Sequence, residues 1–244
     1  RRRHTRYISV TGVQTCALPI SRVYRIIKSG RKRVLLVGAG GVGKSTVTKL
    51  LAGELTDMEL LKGYQQSSVT ETRSIKPEMV GQKTYPAPQF LVAPGQPRRP
   101  YDWQDVRDAI EAGRVIGVVN VVADGHHSLS PPSVGGAEVV GTNAHDQGET
   151  ERYLNARREE EIAQLRELAD DLVAIPNQIW FMTMVAKQDL WWSRRIEVDR
   201  LYRQGGYHNV VADILTRRRT MGRDTTYDIA GCAATWENLA VPSE

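Results

Sequence analysis

Residues Gly38 to Ser45 read GAGGVGKS, and no other stretch of the chain constrains its fold as strongly. Glycine at such density is unfavourable inside a helix or strand, so this segment must be a loop that bends tightly. Directly before it, Val34 to Val37 reads VLLV, a short unbroken apolar run of the kind a buried parallel strand shows. Directly after it, Ser45 to Leu55 reads as a helix. A glycine loop between a buried strand and a helix N-terminus lets backbone N–H groups turn inward around an anion, and the helix adds its partial positive charge. The spacing is GxxxxGK[ST], that of a phosphate-binding loop, with Gly38, Gly40, Gly41, Val42, Gly43, Lys44, Ser45 and Thr46 as its binding residues. Lys44 would reach the β and γ phosphates of a nucleotide, and the Ser45 hydroxyl would coordinate Mg²⁺. The plainer alternative is a glycine turn with an exposed lysine.

Further along, Glu71 to Ile75 and Gln89 to Ala93 are candidate strands, and Trp103 to Ala112 has helical spacing at Val106, Ala109 and Ile110. Arg114 to Val122, RVIGVVNVV, is the strongest strand signal. Residues 123–148, rich in Gly, Ser, Pro, Asn and His, read as one long loop, a feature that is usually functional or disordered. Glu149 to Val173 follows as an amphipathic helix with Ile162, Leu165, Ala169 and Leu172 on one face and pairs such as Arg157 with Glu161 on the other. Ile179 to Val185 is a strand, Trp191 to Arg203 a helix and Tyr227 to Cys232 a last short strand. Strands alternating with helices predict an α/β fold in three layers, a mainly parallel sheet with helices on both faces.

Lys187 to Asp189 reads KQD directly after the Ile179 to Val185 strand, and with Ala186 it forms AKQD. This resembles the NKxD motif of the Ras-like GTPases, the nucleotide-binding family whose phosphate loop is the Walker A motif at Gly38 to Ser45. The resemblance implies that Asp189 accepts both the ring NH and the exocyclic amine of guanine, and that the Lys187 stem covers the base. Ala186 departs from the usual Asn or Thr, which also braces the phosphate loop. Gly231 to Ala234, GCAA, resembles the family's SAK-type loop, which implies that Cys232 and Ala233 touch the guanine; a strand ending in small residues is the equal alternative. ParA-like ATPases carry a signature lysine where this chain has Ala39, which argues against that subclass.

The same resemblance extends to Phe90 to Gln96, FLVAPGQ, which parallels DxxGQ with Val92 in place of the Asp that holds a magnesium-bound water. It implies that the Gly95 N–H meets the γ-phosphate and that Gln96 orients the attacking water. A Pro-Gly turn after a strand is the competing reading. Asp228 to Gly231 is a literal DxxG but follows the base motif, and reads as coincidence. Thr70 or Thr72, in SSVTETRS, would supply the switch threonine on Mg²⁺. Thr70 stands 22 positions before Val92, a separation that suits a two-stranded hairpin, and is preferred.

Net charge, +5 overall, would ordinarily suggest a nucleic acid or an acidic membrane as partner. The excess sits in residues 1–20, RRRHTRYISVTGVQTCALPI, where Val10 to Ile20 resembles the translation of a sequencing-library adaptor. Without that segment's four arginines the remainder carries 29 basic and 28 acidic groups, a net of +1, and neither partner is expected. Residues 21–30 then form a short N-terminal helix or linker, and 31–244 a single G domain. Cys232 is the only cysteine left, so no intrachain disulfide or Cys-based zinc site is expected, which suits a reducing cytoplasm. No apolar run approaches the ~20 residues of a membrane-spanning helix. The adjacent His126 and His127 read as solvent-exposed, Arg217 to Arg219 as a solvated run, and Trp191 with Trp192 as packing residues.

The expectation is therefore a cytoplasmic protein that binds GTP and Mg²⁺, hydrolyses GTP slowly with Gln96 and Lys44 as catalytic residues, and acts as a switch on an unknown protein effector or regulator. The alternatives are a degenerate G domain that binds without turnover, or an ATP-using phosphate-loop enzyme.

Overall fold

Strand β1, Arg33–Val37, is buried from Val34 onward, and its side chains divide with the two-residue period of a strand. Leu35 and Val37 enter one core, Val34 and Leu36 another. A strand apolar on both faces must be covered on both, and that requirement organises the molecule. The structure is a computed structural model, and it describes residues 32–52, 70–74, 79–80, 83–84, 89–95, 103–127 and 147–233.

After β1 come α1 (Lys44–Ala52), β2 (Glu71–Ser74), β3 (Met79–Val80), β4 (Lys83–Thr84), β5 (Gln89–Val92), α2 (Gln104–Glu111) and β6 (Val115–Val122). Then follow α3 (Gln147–Ala174), β7 (Ile179–Val185), α4 (Gln188–Trp191), a 3-10 turn at Trp192–Arg194, α5 (Arg195–Gln204), α6 (Gly206–Thr220) and β8 (Thr225–Gly231). Among the described residues six strands form one sheet in the order β2-β5-β1-β6-β7-β8. Every neighbouring pair is parallel except β2 with β5, which runs antiparallel from Glu71 opposite Val92 to Ser74 opposite Gln89. β3 and β4 pair separately.

Helices α2, α3, α5 and α6 cover one face, placing Val106, Leu165, Leu168, Val198, Val211 and Ile214 in the larger core. On the other face Val47 of α1 packs with Val42, Val92, Val119 and Met184. This is the three-layer α/β arrangement expected from the alternation of elements. Among the described residues no helix is long and apolar enough to cross a membrane.

Five readings are corrected. His127 is buried rather than exposed, its Nε2 3.0 Å from a carboxylate oxygen of Glu161, and His126 is half-buried. Glu161 is itself buried, and Arg157 pairs instead with Glu160, one residue nearer and on the wet side of the helix. In the run Arg217 to Arg219, Arg218 is fully buried. Its guanidinium donates to the carbonyl of Leu172 in the last turn of α3, which the helix leaves unfilled, and to those of Ile175 and Asn177 just beyond the helix end. Last, Trp191 to Arg203 is not one helix, because the chain tightens to a 3-10 turn before α5 begins. Trp191 packs as expected, but Trp192 is 40% exposed beneath the Arg195 guanidinium.

The expectations for residues 1–31, 53–55, Gln96, 128–146 and Ala234 lie outside the described residues.

Candidate functional site

The carboxyl ends of β1, β5, β6 and β7 converge on one edge of the sheet, where open α/β folds bind ligands. The phosphate loop leaves β1 there. Gly38, Gly41 and Gly43 all take positive φ, at 138°, 78° and 101°, conformations that a side chain would strain. Lys44 opens α1 and is buried; its Nζ donates to the carbonyls of Gly38 at 2.7 Å and Ala39 at 2.9 Å. Burial pulls its pKa down to about 8. Ser45 and Thr46 follow in the first turn, both half-buried.

The segment after β5 closes against this loop. The Ala93 N–H donates to the Leu36 carbonyl at 2.8 Å, extending the pairing of β5 with β1 past the strand's end. A Cβ on Gly95 would stand 2.6 Å from Lys44 Nζ and 2.7 Å from the Gly40 Cα, so glycine alone allows this approach. Val92 is buried among apolar neighbours and offers no acceptor there. Thr72 pairs with Leu91 within the strand and is exposed, whereas Thr70 is half-buried just beyond the Glu71–Val92 pair.

Lys187 and Asp189 reach the same edge from β7. Lys187 takes a left-handed conformation at φ 56°, and its Nζ donates to the Gly41 carbonyl at 3.0 Å and the His126 carbonyl at 2.6 Å. Burial lowers this amine too, to about 8, against the raising influence of the Asp189 and Glu161 charges. Asp189 lies in the first turn of α4. With Gly43, Thr46, Lys187 and Cys232 it lines a cleft of about 280 Å³ between the phosphate loop and the base-motif turn. The Cys232 N–H bonds the Val185 carbonyl and its own carbonyl accepts from Gln188 N–H, so the segment after β8 is stapled to the same turn. Ala233 is half-buried next to it. One cleft thus brings together residues from the phosphate loop, KQD and the GCAA segment.

The donor set suits a cation shared with a nucleotide. Ser45 offers a hydroxyl beside the phosphate loop, while among the described residues no group of three or more His, Cys, Asp or Glu could hold a metal unaided. Mg²⁺ fits this edge only with phosphate oxygens as its main ligands.

Sequence reasoning missed a buried polar network behind the cleft. In the loop after β6, the N–H groups of Ala123 and Gly125 donate to Glu161 of α3 at 2.8 and 3.3 Å, and the Tyr202 hydroxyl donates to the same carboxylate at 2.6 Å. Asp124, fully buried, receives Arg158 through two nitrogens at 2.7 and 3.0 Å and Arg194 at 3.2 Å. Asn120 of β6 donates to the Tyr207 hydroxyl at 2.7 Å, which Thr183 of β7 also meets at 2.9 Å. Burial raises the Tyr202 and Tyr207 hydroxyls well above the usual range, so both act as neutral hydrogen-bonding groups. The only signal was a lone Asn inside an apolar strand, too little to show that Asp124, Glu161 and two arginines would meet beside it.

No protein-family model matches the chain. Among solved structures, it is similar to the signal recognition particle receptor SRb-GTP/SRX complex from Chaetomium thermophilum, with a TM-score of 0.52 at 14% identity over 86% of this chain and 93% of that one. A second match is an ADP-ribosylation-factor-like GTP-binding protein, the small COPII coat GTPase SAR1 from Encephalitozoon cuniculi in complex with GDP, at a TM-score of 0.37 and 12% identity over 93% of this chain and 85% of that one. At such identity the likeness to the first is one of fold alone, an α/β domain built on a mostly parallel sheet.

Proposed function

We propose that this chain is a guanine-nucleotide-binding protein that holds GTP with Mg²⁺, hydrolyses it slowly and works as a cytoplasmic switch on a protein effector or regulator. One observation carries the reading: Asp189 and the phosphate loop line a single cleft, and Lys187 bonds the Gly41 carbonyl across it. The first structural match is named for a GTP complex, which agrees with this choice of base. Residues 31–244 are taken as the G domain and residues 1–20 as foreign to it.

In this account Asp189 accepts from the guanine edge, Lys187 lies along the base, and Cys232 and Ala233 bound it on the far side. Lys44 gives up its two loop carbonyls to take the β and γ phosphates. Ser45 and Thr70, rather than Thr72, would hold Mg²⁺, which would supply neutralisation of the phosphate charge when bound. Gly95 N–H faces the γ-phosphate, and Gln96 orients a water for in-line attack. Hydrolysis would be slow because Val92, an apolar side chain, offers no acceptor where the motif has an acid. The same residue favours a second reading, a G domain that binds nucleotide without turnover.

Isothermal titration with GTP, GDP and ATP tests the base, and single-turnover hydrolysis with titrated magnesium separates the two readings. GTP and GDP should bind, with ATP at least about a hundredfold weaker, as expected for a half-buried carboxylate that adenine leaves unpaired in the cleft. Equal affinity for ATP and GTP would make KQD accidental and the protein an ATP-using phosphate-loop enzyme.

A further inference from the structure

The turn that carries Asp189 is fastened at both ends to one short loop. At its start, Lys187 Nζ donates to the His126 carbonyl at 2.6 Å. At its end, Arg194 of the 3-10 turn donates to the Asp124 carboxylate at 3.2 Å and to Glu151 at 3.4 Å. His126 and Asp124 both belong to the segment that follows β6, and that segment is itself immobilised. Glu161 takes two of its N–H groups and the His127 ring, and the Asp124 N–H donates to the Tyr202 hydroxyl at 3.0 Å. Asp124 stands at φ 49°, a left-handed conformation that is rare for a residue with a side chain and persists only where surroundings enforce it.

The carboxylate is built to serve two arginines at once. Arg158 on α3 holds it through Nε and one terminal nitrogen, and Arg194 adds a third contact from the other side. Arg158 alone would satisfy the buried charge. The Arg194 contact is therefore surplus to neutralising Asp124, and what it adds is a tie between the base-facing turn and the core.

We propose that Arg194, through Asp124, is a positioning residue for guanine selection: it fixes the far end of the Lys187–Arg194 turn so that Asp189 is held on the guanine edge. The inference rests on the proposed guanine-nucleotide function. It accounts for how a chain with Ala186 in place of the usual Asn or Thr keeps its base motif in register, the brace coming from the loop after β6 instead.

The test is Arg194→Gln in the full chain, which leaves Asp124 paired with Arg158 and so preserves the fold. Two quantities are read: dissociation of fluorescent GDP, and the preference for GTP over ITP, which lacks the exocyclic amine that Asp189 would bind. Loss of one charge-assisted tie should speed dissociation roughly tenfold. The GTP preference should shrink by a similar factor, and Arg194→Lys should recover part of both. Arg217→Gln, which removes a surface ion pair with Asp170, should change neither. Unchanged dissociation, or equal weakening of GTP and ITP, overturns the positioning role, since Asp189 would then be unmoved. A wild-type chain that binds no guanine nucleotide overturns the proposed function first, and this inference with it.

Discussion

Lys44 is a buried amine whose partners are two carbonyls of its own loop, and burial sets its pKa at about 8. Lys187, also near 8, shares that edge. A bound polyphosphate favours the charged amine, so the free protein must take up protons when it binds above about pH 8. The sign follows from linkage: affinity is full below that pH and falls as the pH rises through it. Titration at pH 8.5 in two buffers of different ionisation enthalpy should show net proton uptake that vanishes by pH 7, and uptake absent at both would contradict the placement of Lys44 at the phosphates. Lys44→Ala should lower nucleotide affinity by at least about a hundredfold, since charged contacts to phosphate are among the strongest polar ones. Its melting temperature should change little, because only two carbonyl contacts are lost; nucleotide affinity equal to that of wild type in the folded variant would refute the phosphate-loop assignment.

Helix α3 ends on Arg218, whose guanidinium closes its last carbonyls and also donates to the Thr225 hydroxyl at 2.6 Å. Arg218→Met should cost about 2–4 kcal/mol in urea denaturation, the scale of buried acceptors deprived of a charged donor. A loss under about 1 kcal/mol would show that water replaces the arginine. The buried strands β1, β5, β6 and β7 were legible from apolar runs unbroken by charge and α3 from its regular apolar spacing, while β2, ETRS, has no apolar residue and was anticipated only through the spacing of Thr70 from Val92. Helix α6 was not, because Gly205 and Gly206 punctuate its start and the arginine run at its end looked solvated. The phosphate loop and the KQD turn were readable as motifs, each local in sequence. Asp124, Glu161, Arg158 and Arg194 were not, since four residues from three distant segments acquire meaning only once the fold brings them together.

At the scale of the molecule, the excess positive charge and the described core occupy different stretches of the sequence. The described core lies within residues 32–233, whereas the basic excess lies in residues 1–20. If residues 1–20 are foreign sequence with no evolved partner surface, a chain beginning at Ser21 should melt within about 2 °C of the full chain and bind nucleotide as well; a large drop in melting temperature would contradict the adaptor reading. The central claim is narrower: one carboxylate in the cleft selects the base. Asp189→Asn tests it directly, because an amide can donate to the 2-oxygen of xanthine where the carboxylate could only accept. Titration of wild type and variant with GTP and xanthosine triphosphate should show the preference exchanged, the variant losing GTP and gaining the xanthine nucleotide. Loss of both nucleotides alike, or no change in either, would mean that Asp189 does not touch the base.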